Sequence, residues 1–132
     1  MVEINFEYYP QMEEAVRKVM AGEYGVPMTK PDPLILDLGG NIGAFAVWAK
    51  NIWPEAAVVS FEPVSFNCEV FRRNTKGLEN VILNEVAVGN PDLNRIWVGK
   101  NNQGECSQYK SGSTTDECFD IEVCDPDSEL LS

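Results

Sequence analysis

Apolar residues in this chain come in short runs divided by polar, glycine- or proline-bearing turns, and their period changes from run to run. Leu34 to Asp37 is an apolar run closed by an acid. Pro31 and Pro33 stop any helix from running into it, so it suits a buried parallel strand. Ile42, Phe45, Ala46, Ala49 and Trp53 then recur at helical spacing. Ala56 to Phe61 reads as a second apolar strand, ended by Glu62 and Pro63. A second helix is predicted next, with Ser65 as N-cap and Phe66, Val70 and Phe71 facing the sheet. Arg72, Arg73 and Lys76 suit the negative end of its dipole, and Gly77 would stop it. Val81-Ile82-Leu83 makes a third strand. Upstream, Met12, Val16, Val19 and Met20 form one apolar helical stripe, which reads as core packing over the sheet or over the mouth of a site.

Strand, helix, strand, helix, strand is half of a doubly wound, Rossmann-like α/β sheet. Residues 1–132 read as a single, partial domain: a helical lead-in over 1–30, a βαβαβ half over 31–93, and a β-hairpin with an acidic tail over 94–132. In the last segment Arg95 to Val98 and Cys118 to Val123 look like two strands. The second alternates Phe119, Ile121 and Val123 inward with Asp120 and Glu122 outward. Asn101 to Glu117 between them is polar and reads as a mobile loop, and the hairpin as an extension of the third strand's edge. Asp125 to Ser132 is expected to be a turn and frayed end.

The junction between the first strand and the first helix carries the chemistry. It reads Asp37-Leu38-Gly39-Gly40-Asn41-Ile42-Gly43. Ligands of open α/β sheets bind outside the carboxyl ends of the strands, where this turn falls. Gly39 and Gly43 lack Cβ atoms where the backbone must turn and let a ligand come close, and Asn41 tolerates a left-handed conformation. Asp37 points a carboxylate at the cleft, which favours a cationic or hydroxyl-bearing ligand over a bare phosphate. The dinucleotide fingerprint Gly-x-Gly-x-x-Gly fits poorly, because it needs glycine where this chain has Asn41 and Ala44. Glu62 lies 19 residues past Gly43. An acid about 20 residues beyond such a loop hydrogen-bonds a ribose diol, in NAD and in S-adenosylmethionine alike. The bland alternatives are a plain connecting turn and a solvated carboxylate at a strand end.

The spaced pattern Asp37, Gly39, Asn41, Gly43 is similar to motif I of the class I S-adenosylmethionine-dependent methyltransferases. Glu62-Pro63, Arg72-Arg73-Asn74, Gly77-Leu78-Glu79-Asn80-Val81 and Val86-Ala87-Val88-Gly89 follow in order, and Gly22-Glu23-Tyr24 ends the lead-in helix. Together, over about residues 12–99, these blocks resemble the FkbM family of methyltransferases. The resemblance implies a cofactor site. Asp37, Gly39, Gly40, Asn41 and Gly43 would lie along the methionine part of S-adenosylmethionine. Glu62, followed by Pro63, would accept from the ribose hydroxyls, and Glu85, Val86 and Ala87 would border the adenine. It also implies methyl transfer to an oxygen of a small-molecule, sugar or lipid acceptor, and a hairpin near that acceptor. Relatives continue into a fourth strand and an acidic acceptor wall beyond the position of Ser132. On that comparison the chain is expected to hold the cofactor half of a site and to have little or no activity. The first strand would then lie at an open apolar edge, which predicts homodimerisation or aggregation there.

Composition narrows the partners. The net charge is −11; residues 1–100 carry 13 acids and 9 bases, and residues 101–132 carry 8 acids and 1 base. That balance disfavours nucleic acid, whose phosphates must be met by cations. There is no histidine to act as a base near neutral pH, and no catalytic residue is assigned. Cys68, Cys106, Cys118 and Cys124 form no Cys-x-x-Cys pair, so no metal site is expected and reduced thiols are. Cys118 and Cys124, six apart in one strand, would share a face, and Cys68 would pack on the sheet as a small apolar group. With no apolar stretch of membrane-spanning length and no signal peptide, a cytoplasmic location is expected. Two other readings remain: a non-catalytic nucleotide-binding or assembly module, and an NAD-linked oxidoreductase.

Overall fold

The computed structural model describes residues 13–25, 27–99, 102–107 and 117–125. The chain runs α1 (Glu13–Met20), β1 (Leu34–Leu38), α2 (Ala44–Ile52), β2 (Ala57–Phe61), α3 (Ser65–Asn74) and β3 (Val81–Asn84). It then continues through β4 (Ala87–Val88), β5 (Arg95–Gly99), β6 (Asn102–Ser107), β7 (Glu117–Asp120) and β8 (Val123–Cys124). β1, β2 and β3 form a parallel sheet in that order, with β1 at one edge. Strands joined through helices into a parallel sheet are the half of a Rossmann-like α/β fold that the alternating periods predict.

The two faces of this sheet differ. Ile35 and Val58 are buried with Ala46 and Ala49 of α2 and Phe71 of α3. On the other face Leu34, Leu36 and Leu38 are 70%, 57% and 63% exposed, and Ile82 is 56% exposed. Leu36 is in register with Val59, and Val59 with Ile82, so this face carries an apolar row across all three strands. The expectation of a buried parallel strand is therefore corrected. Among the described residues β1 is covered on one face only, because α2 and α3 both lie on the Ile35 side.

α2 starts at Ala44 after Gly43, whose φ of 92° is left-handed; Ile42 precedes the helix and Trp53 caps its end. Burial extends to Val47, Trp48 and Lys50, beyond the single face that spacing suggests. Lys50 is a buried cation satisfied by carbonyls: its Nζ donates to Pro54 O and Ala56 O, both at 2.6 Å, and closes the turn into β2. α1 packs across α2, with Val16 buried against Ile42, Ala44 and Val70. Met12 of the predicted stripe lies outside the described residues.

At α3 the predicted N-cap is corrected. Val64 occupies that position, Ser65 is the first helical residue, and no side chain of the cap bonds the helix. Glu62 does the work from upstream, its Oε2 accepting the Val64 N–H at 2.8 Å. Of the residues expected on the sheet, Phe71 is there, Val70 packs towards α1, and Phe66 packs with Val64 and Ile121. The helix ends at Asn74 with Thr75 as cap, ahead of Gly77 (φ 87°). Cys68 is fully buried as expected, its thiol donating to Glu62 O at 3.1 Å. Burial and neighbouring carboxylates push that thiol's pKa up to about 12, and Cys68 and Cys124 are both free.

The C-terminal region departs most from the sequence reading. β5 is the centre of a separate antiparallel sheet ordered β6-β5-β7, and β4 pairs in parallel with β8. The hairpin therefore does not extend the β3 edge. β6 falls within the segment read as a loop, because its Asn-Gln-Gly-Glu-Cys-Ser sequence has no apolar alternation and owes its pairing to β5. The strand expected over Cys118 to Val123 is broken at Ile121–Glu122, where the chain leaves β5 and joins β4. The parity argument for Cys118 and Cys124 fails at that break. Residues 108–116 and 126–132, with the expected loop centre and frayed end, lie outside the described residues.

Candidate functional site

The site grows from the carboxyl end of β1. Asp37 is directly in register with Ser60 on β2, and Ser60 Oγ donates to Asp37 Oδ2 at 2.8 Å. Both side chains are buried under α2 and α3. Burial raises the Asp37 carboxyl above its usual range, and the Ser60 bond opposes that rise. Ser60 is the only polar position within Ala57–Phe61, and that interruption is its signal in the sequence.

The glycine loop is held to the end of β2 by its own backbone. Gly39 and Gly40 N–H groups both donate to Phe61 O, at 2.8 and 2.9 Å, and Gly43 N–H donates to Gly40 O at 3.0 Å. Asn41, with φ 52°, donates its N–H to Glu62 Oε1 at 3.0 Å. These four donors are spent inside the protein and do not form a free cradle for a phosphate. Gly40 is required by space: a Cβ there would meet Ser60 Cβ at 3.0 Å and Phe71 Cε2 at 3.1 Å. At the far end of the loop, Asn74 Nδ2 donates to Ile42 O at 2.8 Å and ties it to α3.

Glu62 is 5% exposed and joins the two halves of the site. Its carboxylate accepts from the Asn41 and Val64 N–H groups. Burial raises its pKa most; these two bonds and the polar Asn67 side chain oppose this, and the charge of Asp37 adds to it. Two desolvated carboxyls thus lie beside one loop, an arrangement that welcomes a cation.

A cavity of about 410 Å³ opens between this loop and α1, within the range of about 300–1,000 Å³ that small ligands use. Asp37, Gly39, Gly40 and Asn41 line it, opposite Val16 and Val19 of α1, with Tyr24 and Phe45 also in its wall. The helical stripe therefore covers the mouth of the site, one of its two expected positions. Tyr24 and Phe45 meet edge to face, with ring centroids 5.7 Å apart; Tyr24 closes the Gly22-Glu23-Tyr24 block and Phe45 belongs to the helical stripe of α2, and neither is assigned to the site from the sequence. Gly43 lies behind the cavity, packed on Phe71 and Thr75. Glu62 reaches the loop through Asn41, and Pro63 follows it half-buried. Glu85, Val86 and Ala87 are not brought into the cavity. Glu85 is exposed, 4.0 Å from Arg72; Val86 is buried with Phe61 and Cys124; Ala87 pairs with Val123. Among the described residues no group of three or more His, Cys, Asp or Glu is placed to hold a metal, and no helix is long and apolar enough to cross a membrane.

No family model matches the chain. Over 58 residues, 44% of the chain, it is 38% identical to Methyltransferase 1 of Beauveria bassiana, of which it spans 23%. Over 51 residues, 39% of the chain, it is 35% identical to Methyltransferase sdnD of Sordaria araneosa, of which it spans 20%. Among solved structures it is similar to M. jannaschii TYW2 in complex with AdoMet, with a TM-score of 0.42 and 16% identity over 60% of this chain and 34% of that one. The P. horikoshii TYW2 complex with MeSAdo also gives a TM-score of 0.42 at 16% identity, over 66% of this chain and 31% of that one. The chain is methyltransferase-like in sequence over those segments, and its own topology is a fragment of a Rossmann-like α/β fold.

Proposed function

We propose that this chain grips S-adenosylmethionine, as the cofactor half of an FkbM-type methyltransferase that methylates an oxygen of a small-molecule, sugar or lipid acceptor. The observation that carries the reading is Asp37: a desolvated carboxylate in the wall of a cavity whose loop N–H groups are already spent. Such a wall suits a ligand bearing positive charge and disfavours the pyrophosphate of NAD. Asn41 Oδ1 is buried without a partner in the same wall, an acceptor that an ammonium group would satisfy. Gly40, where any Cβ would collide, keeps the loop flush against β2.

In this reading Asp37, Gly39, Gly40 and Asn41 hold the amino-acid end of the cofactor, with Gly43 setting the turn into α2. Glu62, followed by Pro63, accepts from the ribose. Bound S-adenosylmethionine supplies an electrophilic methyl group. The chain's own residues orient the cofactor, exclude water through α1 and Tyr24, and keep carboxylates beside its positive charge; positioning is the larger part of such a transfer. The open β1 edge and its leucines are proposed as a contact between two copies of the chain.

Calorimetric titration with S-adenosylmethionine and with NAD tests this. Saturable heat with the first alone is expected. Binding of NAD alone would favour the oxidoreductase, and binding of neither a non-catalytic module.

A further inference from the structure

Among the described residues that line the cavity, Tyr24 and Phe45 are the two aromatic side chains. Tyr24 follows α1 in a turn where Gly25 N–H donates to Gly22 O at 2.9 Å, and Gly22, at φ 91°, lies against the Trp48 ring. Phe45 stands half-buried in the first turn of α2, its ring centroid 5.7 Å from that of buried Trp48. The turn and the helix therefore share Trp48 as a support. The Tyr24 and Phe45 ring planes are perpendicular, at 89°. An edge-to-face pair leaves ring faces uncovered, whereas a stack would hide them against each other. Tyr24 is also 54% exposed, so core packing does not account for an aromatic residue at this position.

The ligand proposed above carries two positive charges of different kinds. Its ammonium group has N–H donors, which Asp37 and Asn41 Oδ1 can accept. Its sulfonium has neither N–H nor O–H and carries its charge over attached carbons, so hydrogen bonding cannot meet it. The negative face of an aromatic ring attracts such a cation. Asp37 is the one charged side chain of the described cavity wall, and apart from Asn41 and the two rings the other lining residues are aliphatic or glycine. We propose that Tyr24 and Phe45 form a cation–π corner that takes the sulfonium, so that the cavity selects the charged methyl donor over its neutral thioether product. The inference rests on the cofactor reading above. The thioether left after methyl transfer feels no such attraction, which favours its release.

The test is the ratio of the dissociation constants of S-adenosylhomocysteine and S-adenosylmethionine, measured by calorimetry on wild type, Tyr24→Phe and Tyr24→Leu. Wild type is expected to bind the sulfonium about 10-fold or more tighter than the thioether, with Asp37 contributing to that preference. Tyr24→Phe keeps the ring and should hold the wild-type ratio. Tyr24→Leu keeps apolar bulk without a π face and should lower the ratio about 5-fold, within the range for a cation over one ring. A partly unfolded sample weakens both ligands equally, so the ratio reports the site and not stability. Should Tyr24→Leu fail to fold, Phe45→Leu carries the same measurement. A Tyr24→Leu protein with the wild-type ratio overturns the inference and leaves the cofactor reading standing, as does a Tyr24→Phe protein that loses as much as Tyr24→Leu. A wild type that binds neither ligand overturns both.

Discussion

The two faces of one five-residue strand behave as different materials. On β1, Ile35 and Asp37 are buried under helices, whereas Leu34, Leu36 and Leu38 stand more than half exposed. The covered face holds the polar groups: Asp37 bonded to Ser60, with Glu62 just beyond β2. The bare face is wholly apolar in β1. Hydrophobicity alone therefore does not mark what this strand buries. The buried polar residues do, because a carboxylate survives burial only where neighbours are arranged around it, and that arrangement is the site. Parallel sheets are normally covered on both faces, so the leucine face is where the proposed contact between two copies would form.

Substitutions on the two faces should separate them cleanly. The largest loss is expected for Ile35→Ala, about 2–5 kcal/mol by chemical denaturation, since it opens a cavity among Ala46, Ala49 and Phe71. Gly40→Ala comes next at about 1–3 kcal/mol, because its Cβ would press on Ser60 and Phe71. A melting curve indistinguishable from wild type would contradict the close packing of the loop. A smaller effect is one of pH. Asp37 and Glu62 bind protons more tightly folded than at their ordinary values of 3.8 and 4.5, so stability is greatest below those values and falls as pH rises through the folded pKa values. Thermal melts from pH 4 to 7 should show that fall reduced in Asp37→Asn. The smallest change is expected for Leu36→Lys on the bare face, within about 0.5 kcal/mol of wild type. The same variant should weaken any self-association seen by light scattering, and a loss as large as that of Ile35→Ala would show that the face is buried after all.

Much of this was legible before any coordinates. Apolar period located β1 to β3 and both intervening helices, and Asp37, Gly39, Gly40 and Asn41 were marked by a pattern that the cavity brings together. What stayed hidden depends on partners distant in sequence. β6 pairs only because β5 is there, and Glu62 rather than Ser65 serves the start of α3. Lys50 is satisfied by carbonyls of the following turn, and Ser60 matters for the carboxylate it meets. The bare face was hidden for the opposite reason, since Leu-Ile-Leu-Asp-Leu reads the same whether one face is covered or two.

The central claim is that Asp37 is kept charged in a desolvated wall for the sake of a cationic ligand, at a cost to the empty protein. Melting and titration of wild type and Asp37→Asn at pH 7.5 test it together, because asparagine still accepts from Ser60 but carries no charge. The account predicts a higher melting temperature for Asp37→Asn and an affinity for S-adenosylmethionine weaker by roughly 30-fold or more, about 2 kcal/mol, in the range of hydrogen bonds to charged groups. Equal affinity in the two proteins, or none in the wild type, would contradict it.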